Sequence, residues 1–213
     1  VEVSGSSPLV VTLITYDMTN KRDLELIYEM GCLRHIQRTW KQFLGADFAN
    51  LAEHTLRVAW IALILAKEEK ADTGHIIKLA LAHDIAESRT GDVHYVSRLY
   101  TKRDENMAVA DILKGTSLEE EFLPLLEEYE KRETLESKIV KDADTLDVDF
   151  ELHEQAANGN SLEKQKHAQR AESVFPKLFT ESAKRMWKEI ETSNVHDWHF
   201  NARNRFSEGD WKK

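Results

Sequence analysis

The chain has 213 residues, 41% hydrophobic and 31% charged, a balance that suits one globular domain with a real core. Its 38 acidic and 29 basic side chains leave a net charge of −9 and form no Lys/Arg block, which argues against a nucleic-acid polymer as partner. Cys32 stands alone, so an intramolecular disulfide and a cysteine-based zinc site are excluded, and no apolar run approaches the roughly 20 residues a membrane helix needs.

No signal-peptide pattern is present, and the single cysteine fits a reducing compartment, so a cytoplasmic protein is expected. Residues 1–18 differ from the rest. The loop-like Ser4 to Pro8 and the β-branched run Leu9 to Tyr16 read as an N-terminal tail, disordered or partly foreign because the sequence begins at Val1. Residues 19–213 read as one all-α domain. Only three prolines interrupt the chain, which favours long helices.

From Thr19 apolar residues recur at helical spacing up to about Gly45, and a second helix is expected from Ala49 to Lys70. A third, almost wholly apolar between Ile76 and Ala82, is expected from Thr73 to Ser88 and should be central and buried, with Gly91 as its stop. An irregular connection over 92–102 leads to a fourth helix from Arg103 to Lys114. Ser117-Leu118-Glu119-Glu120 reads as a capping box that starts a fifth. A sixth spans Thr134 to Asn158, and a last long helix runs from about Leu162 to Glu191. The tail beyond Ser193 has no clear period.

Nine histidines make chance pairs common, and His-Asp occurs twice. His196-Asp197 lies in a polar, aperiodic tail and reads as surface. His83-Asp84 ends the apolar run of a helix that should be buried, where ionisable groups are costly unless paired or bound to a metal. His54 shows the same conflict, on a stripe with Val58, Ile61 and Leu65. Asp144 is the third anomaly, on a line with Val140, Asp147 or Val148, and Glu151. Two imidazoles and two carboxylates suit one divalent ion such as Mn, Co, Fe, Zn or Mg. Such an ion would make water nucleophilic near neutral pH. Glu87, four residues after His83, would share its helical face and could act as general acid or base. Asp92 follows Gly91, where the chain can turn it back toward the site, and Arg38 offers a guanidinium fork for phosphate.

Four segments carry a family resemblance: Ala52-Glu53-His54-Thr55-Leu56-Arg57-Val58, Leu79-Ala80-Leu81-Ala82-His83-Asp84-Ile85-Ala86-Glu87, Thr90-Gly91-Asp92, and Lys138-Ile139-Val140-Lys141-Asp142-Ala143-Asp144. In these the sequence resembles the HD-domain metal-dependent phosphohydrolases. It is most like their 5′-deoxynucleotidase branch, which includes the HD-domain-containing protein 2 group. The resemblance implies an all-helical HD-domain bundle with one divalent metal on His54, His83, Asp84 and Asp144. It also implies hydrolysis of deoxyribonucleoside 5′-monophosphates. By the same resemblance Glu87 would work through water, Asp92 would lie near the scissile ester or sugar, and Arg38 would meet the phosphate. In the bacterial members a Trp directly follows that Arg and contacts the sugar. Here Thr39 follows and Trp40 comes one later, which weakens the expected discrimination against ribose.

Two rivals remain: a cyclic-nucleotide or (p)ppGpp-type hydrolase, and a non-catalytic metal- or nucleotide-binding protein. The first lacks clear extra histidines or a second domain, and Glu87 and Asp92 speak against the second. Trp187, Trp198 and Trp211, together with the resemblance, suggest a homodimer.

Overall fold

The computed structural model describes residues 20–45, 47–161 and 163–203. The expected tail over 1–18 and Trp211 lie outside these residues. Among the described residues the chain is helical throughout, with one isolated antiparallel bridge, Gln37 to Asn50, in place of any strand. None of these helices is long and apolar enough to cross a membrane.

The first expected helix is broken. Helix α1 (Lys21–Cys32) passes into a 3-10 turn at Leu33–His35, and α2 is only Lys41–Leu44. Between them Ile36 to Arg38 pairs with the segment before α3, through Leu51 N to Ile36 O and Arg38 N to Ala49 O. Those backbone bonds hold Arg38 away from a helix and against the site. Helix α3 (Leu51–Glu69) starts at a capping box, Asn50 with Glu53, which satisfies two of the otherwise orphaned amides. Its stripe His54, Val58, Ile61 and Leu65 is buried as the spacing predicts.

Helix α4 (Thr73–Ala82) is capped by Asp72 but stops six residues before the predicted end at Ser88. Residues 83–86 form successive turns, with Ile85 N on Ala82 O and Glu87 N on Asp84 O, before the single turn α5 (Glu87–Thr90). Glu87 is therefore not on the helix that precedes His83, and a tightened i→i+3 path brings it to the site instead. Gly91 ends α5 at φ 71 and ψ 158, a region closed to other residues, and redirects the chain at Asp92.

Helix α6 is Glu105–Leu113, and α7 is Glu119–Lys131. The expected capping box at Ser117 does not form. The N-cap is Leu118, and the Ser117 amide donates to Asp23 of α1 at 2.7 Å, so tertiary contact wins over the local motif. Helix α8 (Leu135–Ala157) follows the predicted sixth helix closely, capped by Thr134. The last expected helix is three pieces: α9 (Glu163–Ser173), a 3-10 turn at Phe175–Lys177 and α10 (Glu181–Thr192). Pro176 removes an amide there, and buried Asp142 of α8 accepts from Phe179 N, Thr180 N and Thr180 Oγ1, so the chain turns around that carboxylate. A short α11 (Asp197–Phe200) follows in the region read as aperiodic.

The main core joins α3, α4, α7, α8 and α10 through residues such as Leu65, Ile76, Leu79, Ile139, Leu146 and Trp187. Trp187 is thus a core residue, contrary to the expectation of an exposed interface aromatic, whereas Trp198 is exposed. A second cluster packs α1, α6 and the residues after α4 against α7. His54, His83, Asp84 and Asp144 therefore sit where three core helices, α3, α4 and α8, meet.

Candidate metal centre

The four residues singled out by the sequence converge. One ligand atom from each of His54, His83, Asp84 and Asp144 lies within 4.8 Å of all the others, a set that could hold one metal ion. His54 Nε2 stands 3.3 Å from both Asp84 Oδ2 and Asp144 Oδ1, and His83 Nε2 is 3.1 Å from Asp84 Oδ2. Both imidazoles are fully buried.

The other ring nitrogens decide what these rings can do. His83 Nδ1 lies 2.7 Å from the Ala80 carbonyl oxygen, which only accepts, so Nδ1 carries the proton. A neutral His83 therefore presents a lone pair at Nε2. His54 Nδ1 is 2.6 Å from Asp147 Oδ2, which fixes the same tautomer for a neutral ring. This is the histidine arrangement expected of metal ligands, oriented by an acceptor behind the ring.

Electrostatics point the same way. Burial and the nearby Arg38 oppose charge on His54, yet hydrogen bonds to Asp144, Asp147 and Asp84 outweigh them and hold its pKa well above the usual range. Burial opposes ionisation of Asp84, but His83 and His54 prevail and hold it below the usual carboxylate range. Asp144 is likewise lowered despite burial, by Lys141, His54 and His83. The cluster favours positive charge at its centre, and two neutral imidazoles with two carboxylates fit a divalent cation.

A cleft of about 500 Å³ opens on this cluster. Arg38, exposed by the commoner sequence reading, is buried at its wall, with Nη1 3.8 Å from Asp84 and 3.6 Å from Asp92. Asp92 also accepts from the Thr39 amide at 2.9 Å, which ties the loop after Gly91 to the segment after α1. Glu87 is buried as well. Its Oε1 meets Arg103 at 3.3 Å and its Oε2 has no partner among the described residues. Burial, then the charges of Asp84 and Asp92, push its pKa up to about 8 against the pull of Arg38 and Arg103. His94, unplaced by the sequence, is buried in the cleft wall. His196 and Asp197 are exposed, as expected.

Residues 30–191 match the profile of a family described as HD domain. The chain belongs to the HD domain family. A 5′-deoxynucleotidase HDDC2 from Danio rerio is 31% identical over 137 residues, covering 62% of this chain and 68% of that protein. One of the same name from Dictyostelium discoideum is 30% identical over 154 residues, covering 66% of this chain and 80% of that protein. A conserved hypothetical protein from Pyrococcus furiosus shares the fold with a TM-score of 0.65 and 28% identity, over 80% of this chain and 99% of that one.

Sequence reasoning missed several residues that this HD domain brings to the cluster. Asp147 lay on the Asp144 stripe but was given no role; three residues on along α8, it lies behind His54. Lys141, three residues before Asp144, pairs with it at 2.6 Å. Tyr129 of α7 reaches Asp144 at 3.4 Å and meets the His83 ring edge-on. Arg103 and Arg132 come from distant segments, and no local spacing marks them.

Proposed function

We infer that the protein is a metal-dependent 5′-deoxynucleotidase, hydrolysing deoxyribonucleoside 5′-monophosphates to deoxynucleosides and phosphate. The observation that carries this reading is the convergence of His54, His83, Asp84 and Asp144, three of which line a cleft together with five cationic side chains, in an HD domain whose curated relatives bear that name. In this proposal those four residues are the metal ligands. A divalent ion held there supplies Lewis acidity toward water and a phosphate oxygen.

The chain's own groups take the remaining roles. Arg38, already desolvated beside Asp84, offers donors to the phosphate, and its Nε has no partner among the described residues. Glu87, protonated near neutral pH and with one oxygen unengaged among the described residues, is placed to give a proton to the departing 5′-oxygen through water. Asp92, held by the Thr39 amide, presents an acceptor for a sugar hydroxyl. Trp40 reaches the cleft although Thr39 occupies the position after Arg38, so an aromatic wall for deoxyribose is retained one residue later.

The same proposal treats residues 19–213 as one domain, in the cytoplasm, as a homodimer. An exposed free thiol at Cys32 supports a reducing compartment. Leu56, Trp60 and Ile64 form an exposed stripe along α3 that supports self-association. Light scattering at micromolar concentration is expected to give twice the 24.6 kDa chain mass; a monomer rejects the dimer alone.

The test of function is phosphate release from paired deoxy- and ribonucleoside 5′-monophosphates with several divalent metals. We expect turnover of several deoxynucleotides with little base selectivity and a modest preference over ribose. Equal kcat/KM for dAMP and AMP would make this a general nucleotidase. No turnover of any monophosphate would send the search to cyclic nucleotides and (p)ppGpp.

A further inference from the structure

Five cationic side chains line the cleft, and most are already committed. Arg98 donates to the Val93 carbonyl at 2.7 Å. Arg103 donates to the Gly91 carbonyl at 2.8 Å and also pairs with Glu87 and Glu105. Lys141 is bound to Asp144. Arg38 faces Asp84 and Asp92 at the loop wall. Arg132 differs. Among the described residues its one ion pair is with Glu130 at 4.0 Å, and that partner's side chain is 63% exposed, a contact of little energetic consequence. Its Nε is buried with no partner among the described residues. The guanidinium is held in place by stacking, 4.8 Å from the centre of the Tyr129 ring, and Tyr129 in turn touches Asp144.

The backbone at Arg132 is a second, separate observation. It caps α7 in the left-handed conformation, at φ 53 and ψ 38, where glycine or asparagine is favoured and a branched-off side chain is strained. Lys70 ends α3 the same way, but it is exposed and away from the cleft. At Arg132 the strained residue is a cation that lines the cleft. Strain retained at a cleft wall where glycine would relieve it is the pattern of a functional position.

The charge balance of the cleft gives the ligand class. Six carboxylates line it against the five cations, and one of the six, Glu87, is protonated near neutral pH. The charged groups thus balance, and a divalent ion on the four ligands would leave an excess of two, which matches a phosphate dianion. Without Arg132 that excess would be one.

We propose that Arg132 is a phosphate-binding residue, clamping from the α7–α8 wall the phosphoryl group that Arg38 meets from the loop wall. This rests on the nucleotidase reading for its substrate, a phosphate monoester, but not for its anion. Arg38 would meet one non-bridging oxygen from the loop wall, and Arg132 would supply donors to another. The planar fork of arginine suits that task, and the Tyr129 stack fixes its plane at no further entropic cost.

The experiment titrates inorganic phosphate into Mn²⁺-loaded wild type, Arg132→Gly and Arg132→Lys by calorimetry, with thermal melts and steady-state kinetics on dAMP alongside. Loss of a charge-assisted bond predicts about 10-fold or greater weakening of phosphate binding in Arg132→Gly. KM for dAMP should rise by a similar factor while kcat changes little, and Arg132→Lys should fall between. Because glycine relieves the left-handed backbone, Tm of Arg132→Gly should be unchanged or higher, so weaker binding cannot be assigned to misfolding. Equal phosphate affinity in wild type and Arg132→Gly, or no binding to either, overturns the proposal. If phosphate binding falls as expected but no nucleoside monophosphate is hydrolysed, Arg132 stands as an anion site and the nucleotidase reading fails.

Discussion

At the scale of single residues, the site separates groups that would touch the ion from groups that aim them. Asp147 is buried, 2.6 Å behind His54, and Arg57 is 3.4 Å from its other oxygen. Asp147→Asn keeps the shape but weakens the acceptor behind the imidazole. It is expected to lower metal affinity by about 10- to 100-fold, the usual cost of such a partner. Metal affinity equal to wild type, measured by competition with a chromogenic chelator, would show that His54 needs no such support. Glu87 makes a separate prediction about pH. Its folded pKa of about 8 lies above the ordinary 4.5, so the folded chain holds a proton that the unfolded chain releases. The stability this contributes is fully present below about pH 4.5 and is lost as pH rises toward 8. In metal-free protein, wild type should therefore lose Tm relative to Glu87→Gln between pH 5 and pH 8. Parallel curves would mean that Glu87 ionises freely. The sequence showed His83, Asp84, His54 and Asp144 because each interrupts an apolar stripe. It did not show Arg103 or Arg132, because a cation in a loop or at a helix end reads as solvated until the fold brings it to a cleft.

At the scale of elements, the sequence was most legible where one periodic face is buried along a whole helix. Helices α3 and α8 run almost where the pattern placed them, each started by its own cap, Asn50 and Thr134. It was least legible at breaks. The apolar character of α4 continues into Ile85 and Ala86, which are buried, so nothing in the hydropathy marks the turns at 83–86 that release His83 and Asp84 from the helix. The break between α9 and α10 has a local signal in Pro176, but its other cause is Asp142, more than thirty residues earlier in the chain. This gives two aspartates on one helix opposite assignments. Asp142→Ala would leave two backbone amides and a hydroxyl without their acceptor, and is expected to cost about 3 kcal/mol or more while metal occupancy is kept. Asp144→Ala should remove bound metal, as read by elemental analysis. Loss of metal in Asp142→Ala, or full occupancy in Asp144→Ala, would reverse the reading of this acid-rich segment.

For the whole molecule, the site lies at the junction of α3, α4 and α8, the same contact that forms the main core. Helix packing sets the spacing of the four candidate ligands, and an ion that binds only this folded state would stabilise it. The net charge of −9 does not prevent binding of a phosphate ester, because the five cationic side chains of the cleft and a bound ion would act on it locally. The measurement that bears most directly on the account is phosphate release from dAMP by protein stripped with a chelator and then titrated with Mn²⁺. Turnover is expected to be absent at the start and to rise with added ion until it saturates at one ion per chain, with none in His83→Ala. Turnover in the stripped protein, or in His83→Ala at the same saturating ion, would contradict the claim that this centre carries the chemistry.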